Sequence, residues 1–316
     1  MSLPSPLQYL HTAGPAADPV TTLGWGLGAV SAVVLAVVCI ALVAGLVRRR
    51  APLAPGELAV PGDQGGLSWI YIGVSISALV LAACAAWTVV TLRAIAMPAQ
   101  AARLTVEVTA AQWWWRARYR DADRPSAFQV ANELHVPVGR PVRIELTSED
   151  VIHSFWVPQL AGKVDAIPGR TNVLWLQADR PGTYRGQCGE FCGAEHARMQ
   201  LVVVADSAED YARWRDAQQA PATPQQAVAA GQAVFQSHCG ACHAVRGTPA
   251  GGLLGPDLTH LKSRHTLAAG LLPDTPDALA RWIEDPQALK PGTRMPNPKL
   301  SPEDRQAVLA YLGTLN

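Results

Sequence analysis

Two long apolar runs near the N-terminus constrain this 316-residue chain more than any other feature. The first extends over residues 22–47 and the second over residues 67–92, and each is almost free of charged side chains. A helix of this length crosses the ~30 Å hydrocarbon core of a bilayer, where backbone polar groups must be bonded within the segment. The first run also starts too far into the chain for an ordinary signal peptide. The runs therefore predict a transmembrane helical hairpin within residues 22–100.

Arginines between the two runs predict how the hairpin is oriented. Arg48, Arg49 and Arg50 follow the first run directly, in the short loop before the second. Because positively charged loops stay on the cytoplasmic side, both chain ends are predicted to be extracytoplasmic, including an N-terminal segment of residues 1–21. The net charge of +1 excludes the strongly basic surface that nucleic-acid binding requires.

A cluster of soft ligands occupies the loop CGEFCGAEHARM at residues 188–199. Cys188, Cys192, His196 and Met199 lie within it, and His153 lies upstream on a predicted strand. Thiolate, thioether and imidazole groups suit copper, whereas magnesium and calcium prefer oxygen ligands. Five ligands exceed the needs of one tetrahedral ion and fit two coppers that share both sulfurs. The alternative is a disulfide between the two cysteines, since such bonds are common outside the cytoplasm.

Short strand-like stretches separated by turn signals surround this loop and predict an antiparallel sandwich or barrel over residues 101–219. The strand-like stretches are 104–109, 113–119, 133–136, 141–147, 154–157, 172–177, 182–186 and 200–204. A helix is predicted at residues 208–218, and a linker rich in Pro, Ala and Gln at 220–226. The last domain, residues 227–316, is predicted to contain helices at 227–237, 275–284 and 301–315.

A second redox motif, Cys239-Gly-Ala-Cys242-His243, lies in this last domain. CxxCH is the attachment site of a c-type haem, in which the adjacent histidine ligates iron from one face. Met295, in Gly-Thr-Arg-Met-Pro, is predicted as the second axial ligand, since a His/Met pair suits an electron carrier. The alternative for the motif is a zinc or redox CxxC site. Three histidines compete with the methionine as axial ligand: His238, His260 and His265.

Four stretches resemble subunit II of the haem–copper cytochrome c oxidases: AQWWW at 111–115, SEDVIHSFWVP at 148–158, KVDAIPGR at 163–170 and GQCGEFCGAEHARM at 186–199. The resemblance extends from about Trp25 to Trp214, and residues 227–316 resemble a class I cytochrome c. The fusion is similar to the caa3-type oxidases of bacteria. It implies a multidomain protein of the bacterial inner membrane with a transmembrane hairpin, an all-β cupredoxin-like Greek-key barrel and an all-α class I cytochrome c domain.

The resemblance also implies a dinuclear CuA centre with six ligand residues: His153, Cys188, Glu190, Cys192, His196 and Met199. The two cysteines bridge both coppers. The upstream histidine and the methionine complete one copper, and the loop histidine and the glutamate carbonyl complete the other. The Glu190 side chain is implied to reach a Mg²⁺ ion at the boundary with subunit I. Trp113 matches the tryptophan through which electrons enter in this family, with packing on a half-exposed strand as the alternative.

Together these features predict the electron-input subunit of a respiratory terminal oxidase. Electrons pass from cytochrome c or another donor through a covalent haem c and CuA to subunit I, which reduces O2 to water, and subunit III is a further predicted partner. We find no acid–base or nucleophilic motif, so this chain alone transfers electrons only. The alternatives are the electron-input subunit of a CuA-containing nitric-oxide reductase, a free-standing membrane-tethered carrier, and a copper-delivery module.

One position departs from the resemblance. The family usually carries a glutamate at the cytoplasmic start of the second transmembrane helix, where this chain has Gly65 or Gly66. Glu57 and Asp63 are close in sequence but out of register. Proton uptake through this subunit is therefore left open, which slightly favours the nitric-oxide reductase alternative.

Overall fold

The computed structural model describes residues 8, 10–48, 66–121, 124–223 and 225–316. Two compact units are present: residues 19–97 form one, and residues 98–316 form the other together with the segment before residue 19. Several residues discussed above lie outside the described ranges: Arg49, Arg50, Glu57, Asp63, Gly65 and Pro224.

The smaller unit contains the two predicted membrane helices. Helix α1 is Asp18–Val47, with 30 residues, and α2 is Gly66–Ala96, with 31 residues. At 1.5 Å per residue each is about 45 Å long, enough to span a bilayer, and both expose their apolar side chains. Trp87 of α2 occupies the space that a Cβ on Gly26 of α1 would take, so the helices are in contact. The prediction of two apolar helices near the N-terminus is confirmed, although both are longer than the apolar runs.

Ten strands in the larger unit form two five-stranded sheets, with the orders β3-β2-β1-β5-β8 and β4-β10-β9-β6-β7. The strands are Leu104–Ala111 (β1), Trp114–Asp121 (β2), Arg124–Ala131 (β3), Glu133–Pro137 (β4), Val142–Ser148 (β5), His153–Trp156 (β6), Val164–Ala166 (β7), Asn172–Leu176 (β8), Gly182–Cys188 (β9) and Gln200–Asp206 (β10). The cupredoxin-like β-domain is thus confirmed. The expectation of purely antiparallel sheets is wrong, because the β1–β5 and β4–β10 pairs are parallel.

The core of this β-domain lies between the two sheets. Alternate residues of β1, β5 and β9 are buried, as the period of two requires. Trp115 and Phe155 are completely or almost completely buried there and pack edge to face with ring centroids 5.7 Å apart. Burying a side chain of this kind contributes about 1.5–3 kcal/mol. The sheet that carries the predicted metal loop is therefore held by a dense apolar interior.

A segment that precedes α1 also joins the β-domain. The backbone N–H of Ala13 donates to Gln159 O at 2.7 Å, and Asp179 N–H donates to Ala13 O at 2.8 Å. Ala13 and Ala16 are buried in the core of the domain. The chain therefore contributes to this domain from both sides of the membrane hairpin.

Helix α3, Ala208–Gln219, follows β10 and leads to a small helical domain. Its helices are Ala229–His238 (α4), Pro276–Glu284 (α5), Pro286–Leu289 (α6) and Pro302–Leu312 (α7). Ser301 caps α7 by accepting a hydrogen bond from Asp304 N–H, with proline at the first turn, as its sequence predicts. Apart from a two-stranded sheet of Thr266–Leu267 and Leu272–Pro273, the all-α prediction for this domain is confirmed.

Candidate metal centre and haem-binding cavity

The soft-ligand loop connects β9 to β10 at one end of the sandwich. Cys188 is the last residue of β9, and His153 is the first residue of β6. These two strands are neighbours, with Phe155 paired to Cys188. Strand pairing alone therefore brings the upstream histidine to the cysteine loop.

Two thiols and two imidazoles meet in this loop. The Cys188 and Cys192 sulfurs are 3.8 Å apart and both are free thiols. The Nδ1 atom of His153 lies 3.9 Å from Cys188 Sγ, and Nδ1 of His196 lies 3.6 Å from Cys192 Sγ. A disulfide bond is about 2.0 Å long, so the disulfide alternative does not describe this structure.

The methionine and glutamate of the loop complete the set. Met199 Sδ lies 3.9 Å from Cys192 Sγ, and the carbonyl oxygen of Glu190 lies 3.2 Å from Cys188 Sγ. The Glu190 side chain instead points to Lys163 Nζ, 3.4 Å away, and is about half exposed. All six predicted ligand groups are thus within 4 Å of a cysteine sulfur, while the carboxylate predicted for Mg²⁺ lies outside the cluster.

Hydrogen bonding favours the loss of one thiol proton at this cluster, whereas burial opposes it. His153, Cys188, Cys192 and Met199 are at most 3% exposed. The hydrogen bond from Cys192 lowers the pKa of Cys188 to about 3, and the same contact raises the pKa of Cys192. Because the second negative charge is so unfavourable, a bound cation is needed to ionise both thiols. Two ionised sulfurs, two imidazoles, a thioether and a carbonyl fit a pair of coppers.

Asp150 and Gln112 support this cluster, although the sequence did not identify them as site residues. Asp150 Oδ1 is 2.8 Å from His153 Nε2, which leaves Nδ1 facing Cys188. Gln112 N–H donates to the other Asp150 oxygen at 2.7 Å, and its side-chain amide donates to Cys192 O at 2.7 Å. The only sequence signal was the position of the aspartate three residues before the histidine.

Trp113 contacts the soft-ligand loop and also lines a cavity next to it. Its indole N–H donates to Cys192 O at 3.0 Å, and the residue is 7% exposed. It also lines a cavity of about 510 Å³ between the β-domain and the helical domain. Trp114 lines the same cavity, with the Arg116 guanidinium 5.1 Å above its ring. The copper domain therefore forms one wall of this cavity.

The CxxCH motif forms the opposite part of the cavity. Cys239, Cys242, His243 and Met295 all line it, among mainly apolar side chains. An apolar cavity with a few directed polar groups is the usual form of a cofactor site. The structure thus places all four predicted haem ligand residues around one space.

His243 is prepared to act as a ligand through one nitrogen. Its Nδ1–H donates to Pro256 O at 2.8 Å, which leaves Nε2 available. Burial lowers the pKa of His243 and keeps the ring neutral. A Cβ on Gly255 would lie 2.5 Å from the imidazole Cε1, so only glycine fits beside the ring.

The rival axial histidines differ in position. Both ring nitrogens of His260 are bonded to backbone carbonyls, and His265 Nδ1 contacts Glu133 at 2.9 Å. Neither of these two lines the cavity, whereas His238 does, with its Nδ1 2.9 Å from Ser237 Oγ. Met295 and His238 therefore stay as candidates for the second axial position.

Comparison with family models divides the chain in the same way. The model described as the periplasmic domain of cytochrome c oxidase subunit II matches residues 122–206. The model described as cytochrome c matches residues 228–316. The first match contains every residue of the candidate metal cluster, and the second contains CxxCH and Met295.

Individual proteins of the same description are also similar to this chain in sequence. Cytochrome c oxidase subunit 2 of Alkalihalophilus pseudofirmus is 41% identical over 214 residues, which are 66% of this chain and 60% of that protein. The same subunit of Bacillus sp. strain PS3 is 31% identical over 226 residues, or 67% and 62% of the two chains. This chain thus spans about three-fifths of the length of the curated relatives it matches. The crystal structure of the periplasmic domain of cytochrome oxidase subunit II from Bradyrhizobium japonicum is 33% identical, covering 39% of this chain and 97% of that chain with a TM-score of 0.36.

Proposed function

Because the chain belongs to the cytochrome c oxidase subunit II family and carries a C-terminal cytochrome c domain, we propose that it is the electron-input subunit of a caa3-type terminal oxidase. Oxygen reduction to water takes place in a separate catalytic subunit. The observation that carries this proposal is the convergence of six soft or carbonyl ligands beside a haem-sized cavity, with Trp113 bordering both. When bound, the copper pair and the haem supply reversible one-electron redox chemistry.

In the copper domain the residues of this chain would hold the metal pair and shield it from solvent. Cys188 and Cys192, together with the other four ligand groups, would hold the copper pair. Asp150 orients His153 through its hydrogen bond to Nε2. Four of the six ligand residues are at most 3% exposed, and their burial limits reorganisation of the surroundings when the charge changes. The site is therefore suited to transferring electrons rather than binding a substrate.

In the helical domain Cys239 and Cys242 would attach the haem through thioethers, and His243 Nε2 would ligate its iron. Met295 would be a further ligand residue for the haem iron, and a His/Met ligand pair suits an electron carrier. Trp113 lines the cavity and donates to Cys192 O, which supports the proposal that electrons enter through it.

The remaining assignments concern partners and topology. We propose that α1 and α2 anchor the chain beside oxidase subunit I, with subunit III as a further neighbour, and that Glu190 contributes to a Mg²⁺ site at that boundary. The segment before α1 is bonded to the domain that follows α2, which supports a hairpin with both ends extracytoplasmic. The proposed division of the chain stays as predicted: hairpin within 22–100, copper domain 101–219, linker 220–226 and haem domain 227–316.

Purification in mild detergent, followed by side-by-side assays with O2 and NO, tests this function. We expect a polytopic subunit with further haem and copper to co-purify, and the complex to consume O2 when reduced cytochrome c is supplied. A chain that elutes alone with both of its own centres would support a free-standing carrier instead. Consumption of NO without O2 reduction would assign the chain to a nitric-oxide reductase.

A further inference from the structure

A buried lysine of the haem domain points out of its own domain. Lys290, directly after α6, is 2% exposed. Its ammonium donates to Trp113 O at 2.8 Å, Arg198 O at 2.9 Å and Ala268 O at 3.1 Å. An ammonium has three N–H donors, and here three backbone carbonyls accept them. Among the described residues no carboxylate lies within ion-pair distance of this nitrogen.

The three carbonyls belong to three functional segments. Trp113 borders the haem cavity and donates to Cys192 O. Arg198 lies in the short turn between His196 and Met199, two candidate copper ligands. Ala268 lines the haem cavity from the helical domain. One side chain therefore connects the electron-input residue, the copper loop and the haem cavity.

Other contacts between the two domains surround this lysine. Gln200 N–H donates to Ala269 O at 3.1 Å, and the Arg198 guanidinium donates to Leu289 O at 3.1 Å. Gly292 leaves room for the Trp113 ring, which lies 3.3 Å from where a Cβ on that glycine would be. Buried groups at the centre of an interface carry most of its energy, whereas exposed rim contacts contribute little. Lys290 occupies this buried centre.

The cost of burying the ammonium indicates that its contacts matter. Burial lowers the pKa of Lys290 to about 8, although the nearby negative charge of Glu195 acts in the opposite direction and raises that pKa. Removing one partner of a buried, hydrogen-bonded charged group leaves its acceptors without donors. Without Lys290, three carbonyls would lack a donor: those of Trp113 and Arg198 in the copper domain and that of Ala268 in the haem domain.

We propose that Lys290 is a positioning residue that fixes the haem domain on the copper domain. The inference rests on the proposed function, because its role is to hold the haem cavity against Trp113 at one separation from the copper loop. Electron tunnelling weakens steeply with distance, so a domain that leaves this position transfers electrons more slowly. The linker at residues 220–226 alone does not define that separation.

The test compares Lys290→Met with Lys262→Met in the full-length chain. Lys262 is a matched control because its ammonium bonds Asp274 at 2.6 Å within the haem domain. The first readout is hydrogen exchange of the Gln200 amide, which donates across the interface and needs neither cofactor. We expect exchange to be at least about tenfold faster in Lys290→Met and unchanged in Lys262→Met.

The second readout is the haem-to-copper electron-transfer rate after flash reduction of the haem. In Lys290→Met it should fall about tenfold while both absorption spectra and the haem potential stay unaltered. Lys290→Gln keeps two N–H donors, so its amide-exchange and electron-transfer rates should lie between those of the unaltered chain and those of Lys290→Met. If the methionine variant does not fold, the glutamine variant provides the test. Exchange and transfer rates within twofold of the unaltered chain would overturn the role of Lys290. Absence of a copper band from the unaltered chain would instead overturn the proposed function, and amide exchange would still test the docking.

Discussion

The copper cluster and the haem cavity gather their ligands by different means. In the copper domain, the candidate ligands come from one loop and the adjacent strand β6, and all lie within 4 Å of a cysteine sulfur. In the haem domain, CxxCH and Met295 come from distant parts of the sequence and line the same cavity. Part of that cavity is walled by Trp113 and Trp114 of the other domain.

This difference has a physical origin. The candidate copper ligands all belong to one domain, where strand pairing and a dense apolar core position them. The haem cavity depends on how two domains dock, and therefore on contacts such as those of Lys290. We expect changes in the copper loop to act locally, whereas changes at the docking surface should affect the pathway between the sites.

Replacement of a candidate copper-ligand cysteine should have the largest effect on one site alone. Cys192→Ser removes one of the two sulfurs proposed to hold the copper pair, so the near-infrared copper absorption should be lost completely. The haem spectrum should remain, because no haem ligand comes from this loop. Absorption spectroscopy of the metal-loaded chain measures both, with Cys39→Ser on helix α1 as the matched control. A retained near-infrared band in Cys192→Ser would remove the dinuclear assignment.

A change of axial ligand should act only on the haem. Met295→Leu removes the thioether, so the haem potential should fall or the iron should become high-spin. Redox titration and the visible spectrum report this change, and the copper band serves as the internal reference. His238→Gln is the decisive comparison because that histidine also lines the cavity. An altered haem in His238→Gln with an unchanged haem in Met295→Leu would assign the histidine instead.

A smaller effect is expected from the residue that orients His153. Asp150→Asn keeps the shape of the side chain but removes its charge next to Nε2, so copper affinity should drop about 10–100-fold. Chelator competition measures this affinity. Glu149→Gln is the matched control, since Glu149 pairs with Arg116 and not with a candidate ligand. Equal affinities for the two variants would show that the Asp150 charge does not support the site.

The smallest effect is expected from a peripheral contact between the domains. The hydrogen bond to Glu133 raises the pKa of His265, so this contact is strongest below pH 6.5 and is lost as pH rises through the raised value. Hydrogen bonds from His135 and His265 outweigh burial and lower the pKa of Glu133 to about 2, so the carboxylate stays charged throughout. His265 is 38% exposed, and solvent screening limits its contribution to less than about 1 kcal/mol.

Exchange of the Gln200 amide as a function of pH measures this contribution. We expect slightly faster exchange at pH 8 than at pH 6 in the unaltered chain, after correction for intrinsic exchange rates. His265→Gln should remove most of the difference, and the remainder would come from His135, whose pKa is also raised. An unchanged pH dependence in His265→Gln would show that this contact plays no part in docking.

The sequence predicted those features that depend on local pattern. Apolar length identified α1 and α2, and short strand-like stretches between turn signals identified eight of the ten strands of the sandwich. Strand β3 was missed because RPSAFQVA does not alternate clearly, and β7 because three residues are too few to show a period. The parallel pairing of β1 with β5 was not predicted, because alternation within a strand carries no information about its neighbour's direction.

The same distinction between local pattern and long-range contact applies to the residues of the sites. The candidate copper and haem ligands were visible as short motifs, because metal chemistry restricts both residue type and spacing. Lys290 gave no signal, since its acceptors at Trp113 and Arg198 are 177 and 92 residues away in sequence. A lysine between Leu289 and Pro291 looks like any surface cation until the two domains are placed together.

The tryptophan wall of the haem cavity limits how such chains can be recombined. A cytochrome module joined at residues 220–226 would bring its own haem motif but not Trp114 and Arg116, which belong to the β-domain. The Arg116 side chain also donates to Leu253 O of the haem domain at 2.8 Å. Chimeras built at the linker should therefore alter the solvation and redox potential of the grafted haem, and a successful exchange must include the opposing aromatic face.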